Sequence, residues 1–385
     1  IAAPWHLLAG SRNQGFYWFY FINEHVLRFA GMRYPKDYNK LPAAVYWAMH
    51  IAWIFPASMF FPLALRRLGQ TLGSRTATRA VEPSLDFSRR TQLLCWTYAG
   101  LVLLFFSFST NQEYYTFPAY FPLILLTSAA LAEEEEATTA PGRWVLGAHA
   151  ALLLTGLVGA SVLLASLWSS RHLPFVPDVG RVLARRAIGG YTLSMSSLFD
   201  LTTEAFAALR LPAVLAAAAL LLGPGVALGL RLRRRPAAAT WAVALTGALF
   251  LVAAHSALRR FEPYLSSRLL AEKIEQQVLP QDKVAIWGDQ ALGSSLLFYL
   301  NRRIYLVNGR STSMEFGSRF PDAPKIFWTQ EDLERAWRSG ERIFLFVPPD
   351  RRGEFNQLGL QPMSVVGESS GKVVYSNRPG PAQKL

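Results

Sequence analysis

Six stretches of this chain, at roughly 43–65, 91–108, 117–132, 144–168, 211–230 and 238–258, are apolar over nearly the length that crosses a membrane. A helix needs about 20 mostly apolar residues to span the hydrocarbon core. Within that core only structures that satisfy their own backbone groups are tolerated. The expected fold is a polytopic α-helical membrane protein. The third stretch is short unless its aromatic lead-in from Tyr114 is counted. Pro56, Pro62, Pro118, Pro122 and Pro224 fall in or at the ends of these stretches, which membrane helices accept when neighbours satisfy the freed carbonyls. Composition agrees: the 385 residues are 51% hydrophobic and 17% charged, with a positive mean hydropathy. Average soluble domains carry about 25% charge.

The formal net charge is +13, from 39 Lys and Arg against 26 Asp and Glu. In a membrane protein such an excess acts as an orientation signal and a headgroup contact, not as a nucleic-acid footprint. Arg66, Arg67, Arg75, Arg79, Arg89 and Arg90 follow the first stretch, and Arg231, Arg233, Arg234 and Arg235 follow the fifth. Both connections are expected on the cytoplasmic side. Alternation then puts Glu133–Arg143 inside and Thr110–Thr116 outside. It also places residues 9–42, 169–210 and everything after about 260 outside. The acidic run Glu133–Glu136 reads as a solvated loop. A single cysteine, Cys95, lies in an apolar run and excludes an intrachain disulfide or a CxxC site. The opening residues, Ile1-Ala-Ala-Pro-Trp-His-Leu-Leu, carry no Met, basic region or cleavage pattern. They read as the last turns of a hydrophobic helix that begins upstream, so a C-terminal fragment is expected.

After Arg259 the texture changes, dividing the chain into a transmembrane domain over 1–260 and a small α/β domain over 261–385. An amphipathic helix is expected at Tyr264–Val278, a strand at Lys283–Gly288, a helix at Leu292–Leu300 and a strand at Arg303–Asn308. A helix near Gln330–Ser339, a strand at Arg342–Val347 and a hairpin of Gln361–Val366 with Lys372–Ser376 complete the alternation. No GxGxxG or P-loop is present, which argues against nucleotide binding.

Two clusters carry polar chemistry at the membrane boundary. The first lies in the aromatic run Phe16–Phe29, which holds Asn23, Glu24, His25 and Arg28, with Arg33, Lys36 and Lys40 just beyond. In a helix, Glu24 and Arg28 share one face while His25 and Phe29 share the next. Either this is an interfacial helix with a local ion pair, or Arg28 grips a phosphate with its planar fork. In the second case Glu24 or His25 supplies proton transfer, metal ligation or sugar contacts. The second cluster is the hairpin Ser107–Pro118, with Gln112, Glu113, Tyr114 and Tyr115. Polar groups at membrane depth are costly unless they have a task. His50 and His149, within apolar stretches, read as hydrogen-bonded bundle residues. No HxH or HExxH pair and no G-x-S-x-G elbow occurs, so zinc hydrolase and serine nucleophile chemistry have no support.

The chain resembles the C-terminal two-thirds of bacterial GT-C glycosyltransferases, closest to the aminoarabinose-transferase-like and protein-mannosyltransferase-like group (glycosyltransferase families 39 and 83). Three places carry the likeness. They are Pro4-Trp5 with the aromatic run and Asn23–Phe29, then Leu104–Ser109 with Gln112–Tyr115 and Pro118, and last the tail with Ser295–Leu300 and Ser376-Asn377. The resemblance implies an inverting membrane enzyme of the bacterial inner membrane. It would move a hexosyl or pentosyl group from a polyprenyl-phosphate carrier to a lipid or protein acceptor at the periplasmic face. Substrate binding would then involve Asn23, Glu24, His25, Arg28, Arg33, Lys36, Gln112, Glu113, Tyr114 and Tyr115. Relatives place their acidic catalytic residues in the first outer loop, so the general base is expected upstream of residue 1 and the fragment alone is expected to be inactive. No cofactor is certain; some relatives bind a divalent metal, for which Glu24 and His25 are the contacts here. Membrane lipids are expected partners and nucleic acid is not. The competing classes are a transporter or flippase for lipid-linked saccharides and a non-catalytic binding protein. Transporters tend to show repeats and mid-membrane charges, and neither is evident here.

Overall fold

The computed structural model describes residues 2–36, 41–73, 83–109, 113–136, 141–183, 200–310 and 314–379. It opens with α1 (Ala3–Arg12) and a π-helical segment over Trp18–Leu27. The membrane part continues through α2 (Ala43–Trp53), α3 (Phe61–Gly73), α4 (Pro83–Phe108), α5 (Tyr120–Glu136) and α6 (Arg143–Ser169). The short α7 (Thr203–Ala207) leads into α8 (Arg210–Leu232) and α9 (Pro236–Leu265). Among the described residues, five helical stretches are long and apolar enough to cross a membrane: Phe87–Phe108, Tyr114–Glu136, α6, α8 and α9. The aromatic lead-in from Tyr114 does belong to the third span.

The stretch at 43–65, expected to be one span, is instead two helices that meet at 102°. Pro56 has no N–H to donate and crowds the preceding turn, so the helix stops at Trp53. A 3₁₀ turn over Ala57–Phe60 follows. The Ser58 hydroxyl donates to the Ile51 carbonyl at 2.7 Å, satisfying a group freed by the break.

Each spanning helix sorts its residues by packing, since both of its faces are apolar. On α6, Val145, Ala148, Leu152, Gly156 and Ala160 are buried, at spacings of three and four. Leu154, Val158 and Val162 stay exposed on the opposite side, where lipid replaces water. Small residues let the helices touch. A Cβ on Gly156 would sit 2.4 Å from the Leu220 carbonyl oxygen of α8, and one on Gly223 would sit 1.9 Å from Thr246 Oγ1 of α9.

The connections collect at opposite ends of the bundle. Arg67 pairs with Glu133 at 2.5 Å and Arg66 with Glu134 at 3.5 Å, joining the end of α3 to the end of α5. The run Glu133–Glu136, expected to be a solvated loop, is thus the last turn of α5, held by arginines. At the other end, Arg210 donates to the carbonyls of Ser170 and Leu173, the latter at 2.7 Å, tying the start of α8 to the end of α6. The α/β domain sits at this second end.

Helix α9 runs past residue 260 to Leu265. The amphipathic helix expected at Tyr264–Val278 is therefore split by Ser266 and Ser267, and only Arg268–Glu275 forms its own helix, α10. Next come β1 (Lys283–Trp287), α11 (Ser294–Leu300), β2 (Ile304–Val307), β3 (Phe327–Trp328) and α12 (Gln330–Trp337). The chain ends with β4 (Ile343–Val347), α13 (Arg352–Asn356), β5 (Ser364–Ser369) and β6 (Lys372–Ser376). The sheet order is β3-β2-β1-β4-β6-β5; the first four strands run parallel, and β6 and β5 are antiparallel. Its central strands β1, β4 and β6 are buried on both faces. Ala285 and Trp287 of β1 pack with Leu333, Trp337 and Phe355, whereas Val284 and Ile286 pack with Leu270, Ile274 and Leu296. The period of two on one strand thus fixes a helix–sheet–helix sandwich. The β5–β6 hairpin closes at Ser370 and Gly371, both at positive φ, the conformation a tight two-residue turn requires.

That turn docks the domain onto the membrane part. The Ser370 N–H donates to Asp178 at 2.7 Å, and its hydroxyl donates to the same carboxylate. The Lys372 ammonium donates to the carbonyls of Tyr264 at 2.9 Å and Ser266 at 2.6 Å, where α9 ends.

Candidate functional site

The aromatic run forms a π-helix, and its wider turn brings residues five apart into register. His25 Nδ1 lies 2.5 Å from the Tyr20 carbonyl oxygen, and its ring packs on Tyr20 and Phe21. His25 and Phe29, expected on a common face, engage different partners, because Phe29 packs on Phe105 of α4 at 5.5 Å.

Asn23 is fully buried and organises the loop that follows. Its side-chain amide donates to the Tyr34 carbonyl at 2.7 Å and accepts from the Tyr34 N–H at 3.0 Å. This pairing imitates a strand ladder and folds residues 28–35 back on the π-helix. Arg33 is brought over Glu24 as a result. Glu24 then stands between two guanidinium groups, 2.6 Å from Arg28 and 2.8 Å from Arg33. Arg33 also donates to the Pro35 carbonyl at 2.6 Å. The three side chains carry a net charge of +1, and Arg33 keeps only 8% of its side-chain surface exposed. Lys36 lies beyond them, exposed.

The Glu24–Arg28 pair follows from their spacing, but Arg33 joins it only through the Asn23 clamp. With both carboxylate oxygens engaged, Glu24 orients arginines and is badly placed as a base. Among the described residues no group of three or more His, Cys, Asp or Glu side chains is arranged to hold a metal ion.

The second cluster connects to the first through rings. Phe29 meets Phe105, which meets Phe106 at 5.1 Å, which meets Tyr115 at 5.8 Å; Tyr115 packs edge-on against Tyr114 at 4.9 Å. Gln112 lies outside the described residues, as does the side chain of Glu113. Behind this hairpin, His50 Nδ1 lies 2.8 Å from the Tyr120 hydroxyl, and His149 Nδ1 lies 2.8 Å from the Val145 carbonyl oxygen. Both histidines are hydrogen-bonded bundle residues, as their positions implied.

Sequence reasoning missed Phe316. Its ring, from the α/β domain, packs on Phe19 at 4.9 Å and Trp18 at 5.6 Å, so that domain leans on the aromatic helix. Nothing local in the sequence signals this long-range contact.

Residues 270–377 match the family model described as the aminoarabinose transferase C-terminal domain. That segment is similar to the ArnT C-terminal domain. The similarity extends beyond that segment. The undecaprenyl phosphate-alpha-4-amino-4-deoxy-L-arabinose arabinosyl transferase of Aeromonas salmonicida is 24% identical over 97% of this chain and 60% of its own length. The protein of the same description from Pectobacterium atrosepticum is 32% identical over 34% of the chain and 20% of its own length. The crystal structure of ArnT from Cupriavidus metallidurans bound to undecaprenyl phosphate superposes with a TM-score of 0.64 at 22% identity, covering 98% of this chain and 59% of that one. Its apo state gives 0.58 at 23% identity, over 98% and 58%. The chain thus spans about 60% of the length of the curated relatives that it matches end to end. The GT-C fold inferred from the two aromatic motifs and the tail is the one observed.

Proposed function

We propose that this chain is the carrier-binding and C-terminal part of a membrane glycosyltransferase that takes a sugar from a polyprenyl-phosphate donor and transfers it to a lipid or protein acceptor. The observation that carries this reading is the Arg28–Glu24–Arg33 trio, two guanidinium groups held by one carboxylate in a partly buried fork beside a belt of exposed aromatic rings. In the reaction, the bond between the sugar and the phosphate oxygen breaks and the acceptor oxygen takes its place. The leaving phosphate gains one negative charge. Guanidinium groups fixed in advance stabilise that developing charge without having to reorganise, and their planar donors match phosphate oxygens. Glu24 holds the two forks in place, Asn23 holds the loop that delivers Arg33, and Lys36 adds charge at the rim. Tyr114 and Tyr115 form the neighbouring wall, Gln112 and Glu113 precede them in sequence as further substrate contacts, and His25 lines the aromatic side. The acceptor hydroxyl requires a base; none of the residues named here fills that role, and inversion of the sugar centre follows from a single displacement.

Orientation follows from charge. The arginine-rich ends of α3 and α8 belong to the cytoplasmic side of a bacterial inner membrane, which puts the trio and the α/β domain on the periplasmic side. The names of the arabinosyl transferase relatives support a polyprenyl-phosphate donor.

In the full-length protein, Arg28→Ala is expected to cut sugar transfer from the lipid-phosphate donor at least tenfold with folded yield unchanged, and Arg28→Lys to restore part of it. Parallel loss of yield and activity would show that Arg28 is structural and sink the reading.

A further inference from the structure

At the end of the bundle that carries the α/β domain, α8 and α9 enclose a polar pocket of about 260 Å³ lined by Leu211, Pro212, Ser256, Arg259 and Arg260. One helical turn deeper the same seam opens into an apolar groove of about 310 Å³. The two are lined by the same faces of α8 and α9. Leu211 of the pocket is followed four residues later by Leu215 of the groove, and Ser256 is preceded four residues earlier by Val252. Residues four apart lie on one helical face. The groove then runs inward past Leu222 on α8 and past Leu249 and Leu245 on α9, offering almost no polar surface.

Arg259 and Arg260 are exposed, and among the described residues neither forms an ion pair. The Arg260 guanidinium packs over the Phe175 ring at 5.3 Å, which holds it at the mouth. Two unneutralised cations at the boundary, followed by an apolar channel in the hydrocarbon, have the order of charge and hydrophobicity of one lipid molecule. Length selects the lipid. The groove extends from Leu215 to Val226 on α8, which at 1.5 Å per residue is about 17 Å. That matches the acyl depth of one leaflet, about 15 Å. A long polyprenyl chain outruns it.

We propose that the α8–α9 seam is a binding site for an anionic glycerophospholipid of the surrounding leaflet, with its phosphate on Arg259 and Arg260 and an acyl chain in the groove. The site lies outside the Arg28–Glu24–Arg33 trio and requires no sugar-transfer chemistry. An occupied seam anchors the end of α9, from which the Lys372 contacts hang the α/β domain.

The test is native mass spectrometry of the full chain in detergent, titrated with phosphatidylglycerol, with phosphatidylcholine and with a polyprenyl phosphate. Phosphatidylglycerol is expected to bind at least tenfold more tightly than phosphatidylcholine. Arg259→Ala with Arg260→Ala is expected to weaken phosphatidylglycerol about 30-fold while leaving phosphatidylcholine nearly unchanged, and the paired Lys variants are expected to keep the preference. Ala218→Trp, which fills the groove from an exposed position, is expected to weaken both phospholipids. Unchanged phosphatidylglycerol binding in the double alanine variant or in Ala218→Trp would overturn the proposal. So would a polyprenyl phosphate that displaces phosphatidylglycerol at equal concentration, because the seam would then belong to the carrier. Should the double alanine variant not fold, the Ala218→Trp and paired Lys results decide the matter.

Discussion

Replacing Asn23 with Ala should loosen the loop that carries Arg33 without unfolding the bundle. The Asn23 side chain supplies both partners of the Tyr34 peptide group, one bond at 2.7 Å and one at 3.0 Å. Each such bond is worth about 1 kcal/mol net. Losing both makes local opening of residues 28–36 easier by about 2 kcal/mol, a factor of about 30 in the opening equilibrium. Asn23→Asp keeps an acceptor for the Tyr34 N–H but sets a carboxylate against the Tyr34 carbonyl, so it should lose at least as much. Amide hydrogen exchange on the purified chain reads this directly, with protection falling over 28–36 and holding in α6, α8 and the α/β domain. In the full-length enzyme the same variant should raise KM for the lipid-phosphate donor, because Arg33 no longer sits over Glu24. Unchanged protection of residues 28–36 would refute the clamp. An equal loss across the whole chain would refute its local character and make Asn23 a general packing residue.

Three further outcomes follow from the packing. Burial pushes the Lys372 ammonium down to about 8, partly opposed by the Asp178 carboxylate. The folded chain then holds fewer protons than the unfolded one between about pH 8 and the usual lysine value of 10.5. The stability contributed by this group is therefore least below pH 8 and rises across that window; denaturation midpoints at about pH 7.5 and about pH 10 should show a rise that Lys372→Met flattens. Gly156→Ala should lower the melting temperature and yield, because its Cβ would meet the Leu220 carbonyl oxygen at 2.4 Å, an overpacking cost of about 1–3 kcal/mol. Gly147→Ala, with open space around it, should be neutral, and equal effects would undo the close-approach argument. Gly180→Val should push the Ser370 turn away from Asp178, since a Cβ there would sit 2.6 Å from the Ser370 Cβ; limited proteolysis at the hairpin tip should speed up, and an unchanged rate would show that the dock is not built on that contact.

The spans were legible because length and apolarity alone decide whether a helix crosses a bilayer, and α4, α5, α6, α8 and α9 all satisfy that test. The exception is instructive. Residues 43–65 have the right composition, and the break at 102° depends on where Pro56 falls relative to its neighbours. In the spans of α5 and α8, Pro118 and Pro224 are absorbed with the helical run intact. A proline marks a possible break, but tertiary partners decide whether it becomes one: here Ser58 takes up a freed carbonyl and Gly247 packs against the Pro56 ring. The α/β tail was read from alternation, which is local. The two-residue β3 escaped because its pairing with β2 is too short to leave a periodic signal.

The candidate site was half legible for a reason that bears on its chemistry. Glu24 and Arg28 are four apart, so their pairing needs only a helix, and it survives the unforeseen widening to a π-helix. Arg33 and Asn23 needed a turn that no spacing rule supplies. Had only the Glu24–Arg28 pair formed, the cluster would be neutral and an ordinary surface ion pair worth little. Arg33, 8% exposed and tied to Glu24 and the Pro35 carbonyl, adds a second guanidinium to the cluster and buries part of it. A phosphate arriving there meets two guanidinium groups that Glu24 has already oriented. Arg33→Ala should therefore reduce donor binding as strongly as Arg28→Ala, though it lies nine residues from Glu24 and only the folded loop brings it near. If Arg33→Ala leaves donor KM unchanged while Arg28→Ala raises it, the cluster does not act as a unit.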